Sequence, residues 1–340
     1  MKQSNFITSL ISLVLLSLSV KADFILSPAR GMNDSTSVTL FHTDSSAVAH
    51  FIQSNQLQAP LADQFRQFYN DRQYQHAWVI EDGLSEQAQM LLNLYNQFIY
   101  YSGDSSLTHR ELLAQTGLLQ SEGPNKPLQS YSEVELQLTN FFIAFLARAY
   151  AGKIDPSNLQ WHIPRKKIRI AALLKKFASS EDAITDNWLP ISKAYLDMRA
   201  HVLRLKSFEQ EQWKEISLVK RKMLQVGDTA QIIKTIKSRL IMLGDLKTGD
   251  TTSIYNQNLI SAVEGFQNRH GLSVDAIIGP EFIQAVNIPI QAKLEQMLIN
   301  MERMRWMPVY TEKKTVVVNI PEFKLHVFQD GDEVLNRMSS

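Results

Sequence analysis

From Leu61 to Arg305 the apolar residues of this chain recur every three or four positions, and from Thr315 they alternate. The first period buries one stripe of a helix, the second one face of a strand. The chain therefore reads as mainly α, with a short β segment at its end. Ser132-x-x-Glu135 has the form of a capping box ahead of Leu138, Phe141, Phe142, Phe145, Leu146 and Tyr150, and Gly152 is the stop signal. Asp155-Pro156 marks a fresh start, with Asp as cap and Pro at the first helical position. Further helices are predicted over Ile168–Ala178, Pro190–Lys206 and Phe208–Leu224. Asp23 to Pro60, rich in Ser, Thr and Asp, has no clear period and reads as loop with short strands. No repeat of 20 to 50 residues is visible.

A second unit opens at Gly227. Asp228-Thr229-Ala230-Gln231 resembles another capping box, ahead of Ile232, Ile233, Ile236, Leu240 and Leu243, and Gly244 closes that helix. A second helix over about Asn256–His270 carries Leu259, Val263 and Phe266 on one face, and Pro280 starts a short third one. These patterns predict a three-helix bundle with Phe266, Leu240, Leu243 and Ile278 in its core. A helix from about Pro289 to Arg305 follows, with Leu294, Met297, Leu298, Met301 and Met304 on one stripe. Strands are expected at Thr315–Ile320, Phe323–Phe328 and Glu333–Met338, with Asp330-Gly331 as the hairpin turn.

The 340 residues suffice for two or three domains. With 44% hydrophobic and 20% charged residues, the chain is no disordered tail, fibre or polytopic membrane protein. It contains no cysteine, which excludes disulfides, thiolate metal sites and a thiol nucleophile within it. Residues 1–22 read as a signal peptide: Lys2, an apolar run from Phe6 to Val20, and small residues at Val20 and Ala22. Cleavage before Asp23 would leave no stable membrane span; an uncleaved anchor is the alternative. Export and the lack of cysteine suit a bacterial periplasm. Residues 23–160 carry 7 basic and 14 acidic side chains, and residues 161–340 carry 26 and 20. The basic surplus, in clusters such as Arg165-Lys166-Lys167 and Lys220-Arg221-Lys222, reads as solvated helix faces or as attraction to an anionic wall polymer, and nucleic acid is not an expected partner of an exported chain. The eight histidines show no metal spacing, there is no glycine-rich phosphate loop, and no cofactor is expected.

Three motifs in the second unit resemble the peptidoglycan-binding domain of bacterial wall enzymes: Ser238-Arg239-Leu240-x-x-Leu243-Gly244-Asp245-Leu246, Phe266-Gln267-x-x-His270-Gly271-Leu272, and Asp275-x-x-Ile278-Gly279-Pro280. Ala276 stands where that family usually has Gly. The wider chain resembles the large scaffold-containing L,D-transpeptidases of Gram-negative bacteria, the YcbB-like group. The residues are Phe68-Tyr69-x-x-Arg72-x-Tyr74-x-x-Ala77-Trp78, Gly152-Lys153-Ile154-Asp155-Pro156, Asn300-x-Glu302-Arg303-x-Arg305-Trp306-x-Pro308 and Val318-Asn319-Ile320-Pro321-x-Phe323. The resemblance implies an exported enzyme of peptidoglycan cross-linking. In that family a Cys attacks the donor stem peptide after meso-diaminopimelate and releases D-alanine. The acyl group then passes to an amine of a second stem, giving a 3–3 cross-link. The family's nucleophile segment has no counterpart here, so no catalytic residue is carried over; His326 reads as an ordinary strand residue.

The expected organisation is thus a signal peptide (1–22), a helical scaffold (23–226), a peptidoglycan-binding domain (227–288), a linking helix (289–314) and a truncated start of the catalytic domain (315–340). The last segment is expected to be mobile or aggregation-prone, because an unsupported hairpin is marginal and its edges are unpaired. Three functions remain open: a family member inactive as it stands, a non-catalytic wall-binding protein, and an adaptor for periplasmic protein partners. Peptidoglycan is the expected ligand. Its candidate contacts are Arg239, Asp245, Tyr255, Gln267, His270 and Asp275, polar residues on loops and helix ends that capping and turn formation also explain.

Overall fold

The computed structural model describes residues 41–340, apart from 108–111, 113–115, 117–127, 160–165, 167, 180–188, 219–221, 248–249, 309–313, 320–322, 331 and 339–340. The signal segment and most of the two basic clusters lie outside the described residues. The protein is mainly α, with only small sheets.

The expected loop before Pro60 contains a helix. Helix α1 (Ser45–Ser54) starts at Asp44, whose carboxylate accepts the Ala47 N–H, and it buries Val48, Phe51 and Ile52. Helix α2 (Ala59–Asp71) has Pro in its first turn and buries Ala62, Phe65, Phe68 and Tyr69. A two-residue hairpin, β1 (Val79–Ile80) and β2 (Gly83–Leu84), leads into α3 (Glu86–Ser102), capped by Ser85 and ended by Gly103 in the left-handed region. The longest helix, α4 (Leu128–Ala151), stops at Gly152, whose φ is +98°. Rings from these elements interlock: Phe68 stacks on Trp78 at 5.8 Å, and Trp78 meets Phe142 edge-on at 4.9 Å. Such pairs add roughly 0.5–1.5 kcal/mol each beyond their area.

Ser132 and Glu135 are not a helix start, because α4 begins at Leu128. Glu135 is completely buried, and its carboxylate accepts the N–H groups of Ala77, Trp78 and Val79 at 2.8, 2.9 and 3.1 Å. Tyr69 donates its hydroxyl to the same carboxylate at 3.2 Å. The residue that sequence spacing assigned to capping its own helix instead satisfies the chain entering β1. Burial pushes the Glu135 carboxyl up to about 7, against the pull of these donors.

Helix α5 (Ile170–Ala178) packs on α2 and α4, and α6 (Lys193–Lys206), capped by Ser192, packs on α3. Asp155 caps only a short 3₁₀ turn, Pro156–Asn158. No helix forms over the described part of 211–224. That segment runs extended along the bundle, where the Lys214 carbonyl accepts from Arg239, Ile216 N–H donates to Asn287, and Leu224 pairs with Ile278 in an isolated bridge. These backbone groups find their partners on the bundle rather than in an intrahelical ladder.

The bundle consists of α7 (Gln231–Leu243), α8 (Gln257–Arg269) and α9 (Pro280–Asn287). Leu240, Leu259, Val263, Phe266 and Ile278 are completely buried, as their spacing predicted, and Leu243 is buried too. The Asp228 capping box does not form: α7 starts at Ala230 without a side-chain cap, and Asp228 accepts from Gln225 N–H.

The next helix, α10 (Ile290–Trp306), is more than a linker. It returns to the scaffold and packs against α6 and α4, burying Leu294 and Met301. Strands β3 (Lys314–Asn319), β4 (Lys324–Gln329) and β5 (Asp332–Met338) form an antiparallel sheet in that order. Val316, Val327 and Leu335 lie opposite one another, as do Val318 and Leu325, so one face carries an apolar cluster, with Arg337 at the register position beside it. Val316 and Val318 are 61% and 57% exposed.

Candidate functional site

The six candidate residues of the bundle do different things. Gln267 is buried, and its side chain holds the turn after α8. Its Nε2 donates to the Asp275 carboxylate at 2.7 Å and to the Ile277 carbonyl at 3.0 Å. Its Oε1 accepts from the N–H groups of Asp275 and Ala276 at 3.2 and 3.0 Å. Tyr255, buried as well, donates to the Ala276 carbonyl at 2.7 Å. These bonds hold Ala276 at φ +56°, a left-handed conformation that costs a non-glycine residue about 1 kcal/mol or more. The departure from Gly thus leaves the turn in place, under strain.

Arg239 is also buried. It donates to the Val286 carbonyl at 3.2 Å and to Asn287 at 2.7 Å, with its guanidinium 4.5 Å above the Trp213 ring. Its role in the structure is to tie the extended segment to the end of α9. Three of the candidates, Arg239, Tyr255 and Gln267, therefore face inward.

Asp245, His270 and Asp275 lie nearer the surface. The Asp275 carboxylate is exposed, and hydrogen bonds from Ile277 N–H and Gln267 hold its pKa below the ordinary value. His270 stacks on Phe266 with ring centroids 3.9 Å apart, and its Nδ1 lies 2.9 Å from the Phe266 carbonyl. A carbonyl can only accept, so Nδ1 carries the proton and Nε2 is left as the outer atom. Burial lowers the His270 pKa, which favours the neutral ring.

Around His270 the structure gathers residues that sequence reasoning passed over. Arg269 pairs with Asp245 at 2.5 Å, and Arg269, Asp245 and Lys293 of α10 all act electrostatically on the imidazole. Lys293 is half-buried, donates to the Ala285 carbonyl at 3.3 Å, and has its pKa lowered to about 8 by burial. Arg269 was adjacent to a motif position, so its place was within reach. Lys293 lies outside the bundle's own sequence, and nothing in the spacing links it to His270.

A second internal lock fixes the α7–α8 loop. Lys237 is almost fully buried and donates to Asp250 at 2.6 Å and to Thr252 at 3.2 Å. Asn256 donates to the same Asp250 carboxylate while capping α8. Lys237 and Thr252 hold Asp250 far below the ordinary carboxylate range. Across the join to the scaffold, Arg204 of α6 donates to the Ile241 and Met242 carbonyls at the end of α7, at 2.7 and 3.2 Å. Gly244 packs against that guanidinium, with φ +94°.

Two scaffold motifs also meet. Glu302 accepts from the Lys153 and Ile154 N–H groups at 2.5 and 3.0 Å, from Trp306 Nε1 at 3.2 Å and from Arg305 at 2.6 Å. Arg305 also donates to the Tyr195 hydroxyl, which lies 2.9 Å from that of Tyr101. A Cβ on Gly152, at φ +98°, would fall 2.7 Å from the Glu302 carboxylate and 2.8 Å from Trp306 Nε1, so this position strongly favours glycine. In the β segment His326 reaches Glu333 at 2.7 Å and stacks on Phe328.

Among the described residues no group of His, Asp and Glu side chains is arranged to hold a metal ion, and no helix is long and apolar enough to cross a membrane. No curated protein matches the chain significantly. Residues 63–201 match the family described as Scaffold domain, and residues 229–286 match the family described as Putative peptidoglycan binding domain. The two matches, one on the aromatic helical body and one on the three-helix bundle, support a peptidoglycan-related, cell-wall role for this chain.

Proposed function

We propose that this chain is an exported wall protein that holds peptidoglycan through its bundle and carries a scaffold of the L,D-transpeptidase type. The observation that carries the reading is the bundle itself. Residues 229–286 match a peptidoglycan-binding family, and their motif residues build a hydrogen-bonded turn and a charged cluster in which the largely covered Asp245 pairs with the exposed Arg269 near His270, which Lys293 extends. The acids and amines of a wall peptide suit such a mixed patch. The scaffold match agrees with this reading, since that domain occurs in L,D-transpeptidase-like proteins. The sequence supplies no cysteine, so the acyl transfer implied by the resemblance is outside the reach of this chain acting alone.

The test is co-sedimentation of the protein, from residue 23 onward, with purified sacculi. Wild type is expected in the pellet, and the double substitution Arg269→Gln, Lys293→Gln is expected to move about nine-tenths of it to the supernatant. Wild type remaining soluble, or equal pelleting of both proteins, would overturn the reading. Incubation with a stem tetrapeptide should release no D-alanine.

A further inference from the structure

A cleft of about 610 Å³ opens on the scaffold, away from the patch just described. Its floor is apolar, made by Phe98 of α3 and by Leu294 and Leu298 of α10. Its rim is charged, and most of those charges are already matched. Asp104 pairs with Arg148 at 2.7 Å, Lys206 with Glu209 at 2.8 Å and Glu302 with Arg305 at 2.6 Å. Two rim charges differ. Lys153 and Glu295 are both exposed, and neither makes an ion pair among the described residues.

Their positions are set by the fold. The Lys153 backbone is fixed to Glu302 by the 2.5 Å bond to its carboxylate, so Lys153 lines the cleft from that end of α10. Glu295 lies seven residues earlier on the same helix, two turns and about 10 Å along its axis. The cleft is therefore lined by a cation and an anion, neither ion-paired among the described residues, whose backbones are held about two helical turns apart along α10, over an apolar floor. The volume lies within the range of small-ligand sites, roughly 300–1,000 Å³.

We propose that this cleft binds a short peptide of about three residues with a free carboxylate and a free amine. An extended chain advances about 3.3–3.6 Å per residue, so three residues span the two helical turns that separate the anchors of Lys153 and Glu295. The carboxylate lies toward Lys153, the amine toward Glu295, and the side chains rest on Phe98, Leu294 and Leu298. The matched pairs around the rim repel neither end. Assigning the peptide to the wall, as a released stem, rests on the function proposed above; the site itself does not.

The experiment is isothermal titration of the protein, from residue 23 onward, with three probes: trialanine, N-acetyl-trialanine amide, and a stem tripeptide released from purified sacculi. Trialanine and the stem tripeptide are expected to bind, and the capped peptide about tenfold or more weakly. Lys153→Gln and Glu295→Gln should each weaken the uncapped peptides about tenfold, with an unchanged melting temperature because both side chains are exposed. Tighter binding of the stem tripeptide than of trialanine upholds the site and names the wall as its source; equal binding upholds it for free oligopeptides. No binding of either uncapped peptide, equal binding of the capped one, or indifference to both substitutions would overturn the proposal. Both variants should still pellet with sacculi, so failure here leaves the wall-binding reading standing.

Discussion

The scaffold and the bundle both hold strongly polar side chains in place, and the scaffold carboxylates Glu135 and Glu302 recruit partners over longer stretches of chain than Gln267, Lys237 or Arg239 of the bundle. In the bundle Gln267 holds residues eight to ten positions on, and Lys237 holds Asp250 thirteen positions on. In the scaffold Glu135 holds backbone 56 to 58 positions back, and Glu302 holds backbone 148 and 149 positions back. Loop closure costs entropy that grows with separation, so the Gln267 and Lys237 locks form cheaply while those of Glu135 and Glu302 wait for distant elements to dock. The terminal sheet is a third case. Its pairs are local, yet Val316 and Val318 stay exposed on its apolar face.

The sharpest way to break this comparison is to remove the buried long-range carboxylate anchor Glu135. Glu135→Ala strands three buried N–H donors and the Tyr69 hydroxyl, and should cost about 5 kcal/mol at pH 5, read as a shift in the denaturant midpoint. Phe266→Ala acts on the bundle by cavity formation instead, at about 4 kcal/mol, and should melt α7 to α9 while leaving the Trp78 environment intact. Simultaneous loss of both signals in either variant would show that the two regions unfold as one.

A pH series sharpens the contrast further. The folded pKa of Glu135, about 7, lies above its ordinary 4.5. Its contribution is therefore fully present below pH 4.5 and is lost as pH rises through about 7. Between pH 4.5 and 8 the wild type should lose about 3 kcal/mol relative to Glu135→Gln, which cannot ionise. Parallel pH profiles for the two proteins would contradict the buried, ionisable assignment.

Smaller effects test the turns. Gly152→Ala forces a Cβ against Glu302 at positive φ and should cost about 2 kcal/mol, with α10 exchanging its amide protons faster. Ala276→Gly relieves the left-handed strain and should stabilise the bundle by about 1 kcal/mol. A melting temperature unchanged or lowered by this last substitution would mean that the Gln267 cradle, rather than the residue type, sets the energy of the turn.

Most helices were legible because their apolar stripes are regular. α8 and its Asn256 cap, α9 after Pro280 and the β3–β5 register all follow local rules. Capping boxes were less reliable. Ser132-x-x-Glu135 and Asp228-x-x-Gln231 have the spacing, but the first lies inside α4 and the second yields no side-chain cap. The extended run after Phe208 was unreadable, since its hydrogen-bond partners are Arg239, Asn287 and Ile278 on the bundle. Among the candidate contacts, polarity did not reveal which side chains turn inward: Arg239, Tyr255 and Gln267 are buried, while His270 and Asp275 are not.

Sequence alone determined the class of most elements, though not of α1 or of the run after Phe208, together with the bundle and its core and the glycine stops at 152 and 244. These depend on periodicity and on backbone angles that only certain residues tolerate. Only the tertiary structure decided that Glu135 serves Trp78, that Gly152 must admit Glu302, and that Lys293 joins His270. A buried polar group is satisfied by whichever partner packing brings within about 3 Å, and distance along the chain gives no measure of that.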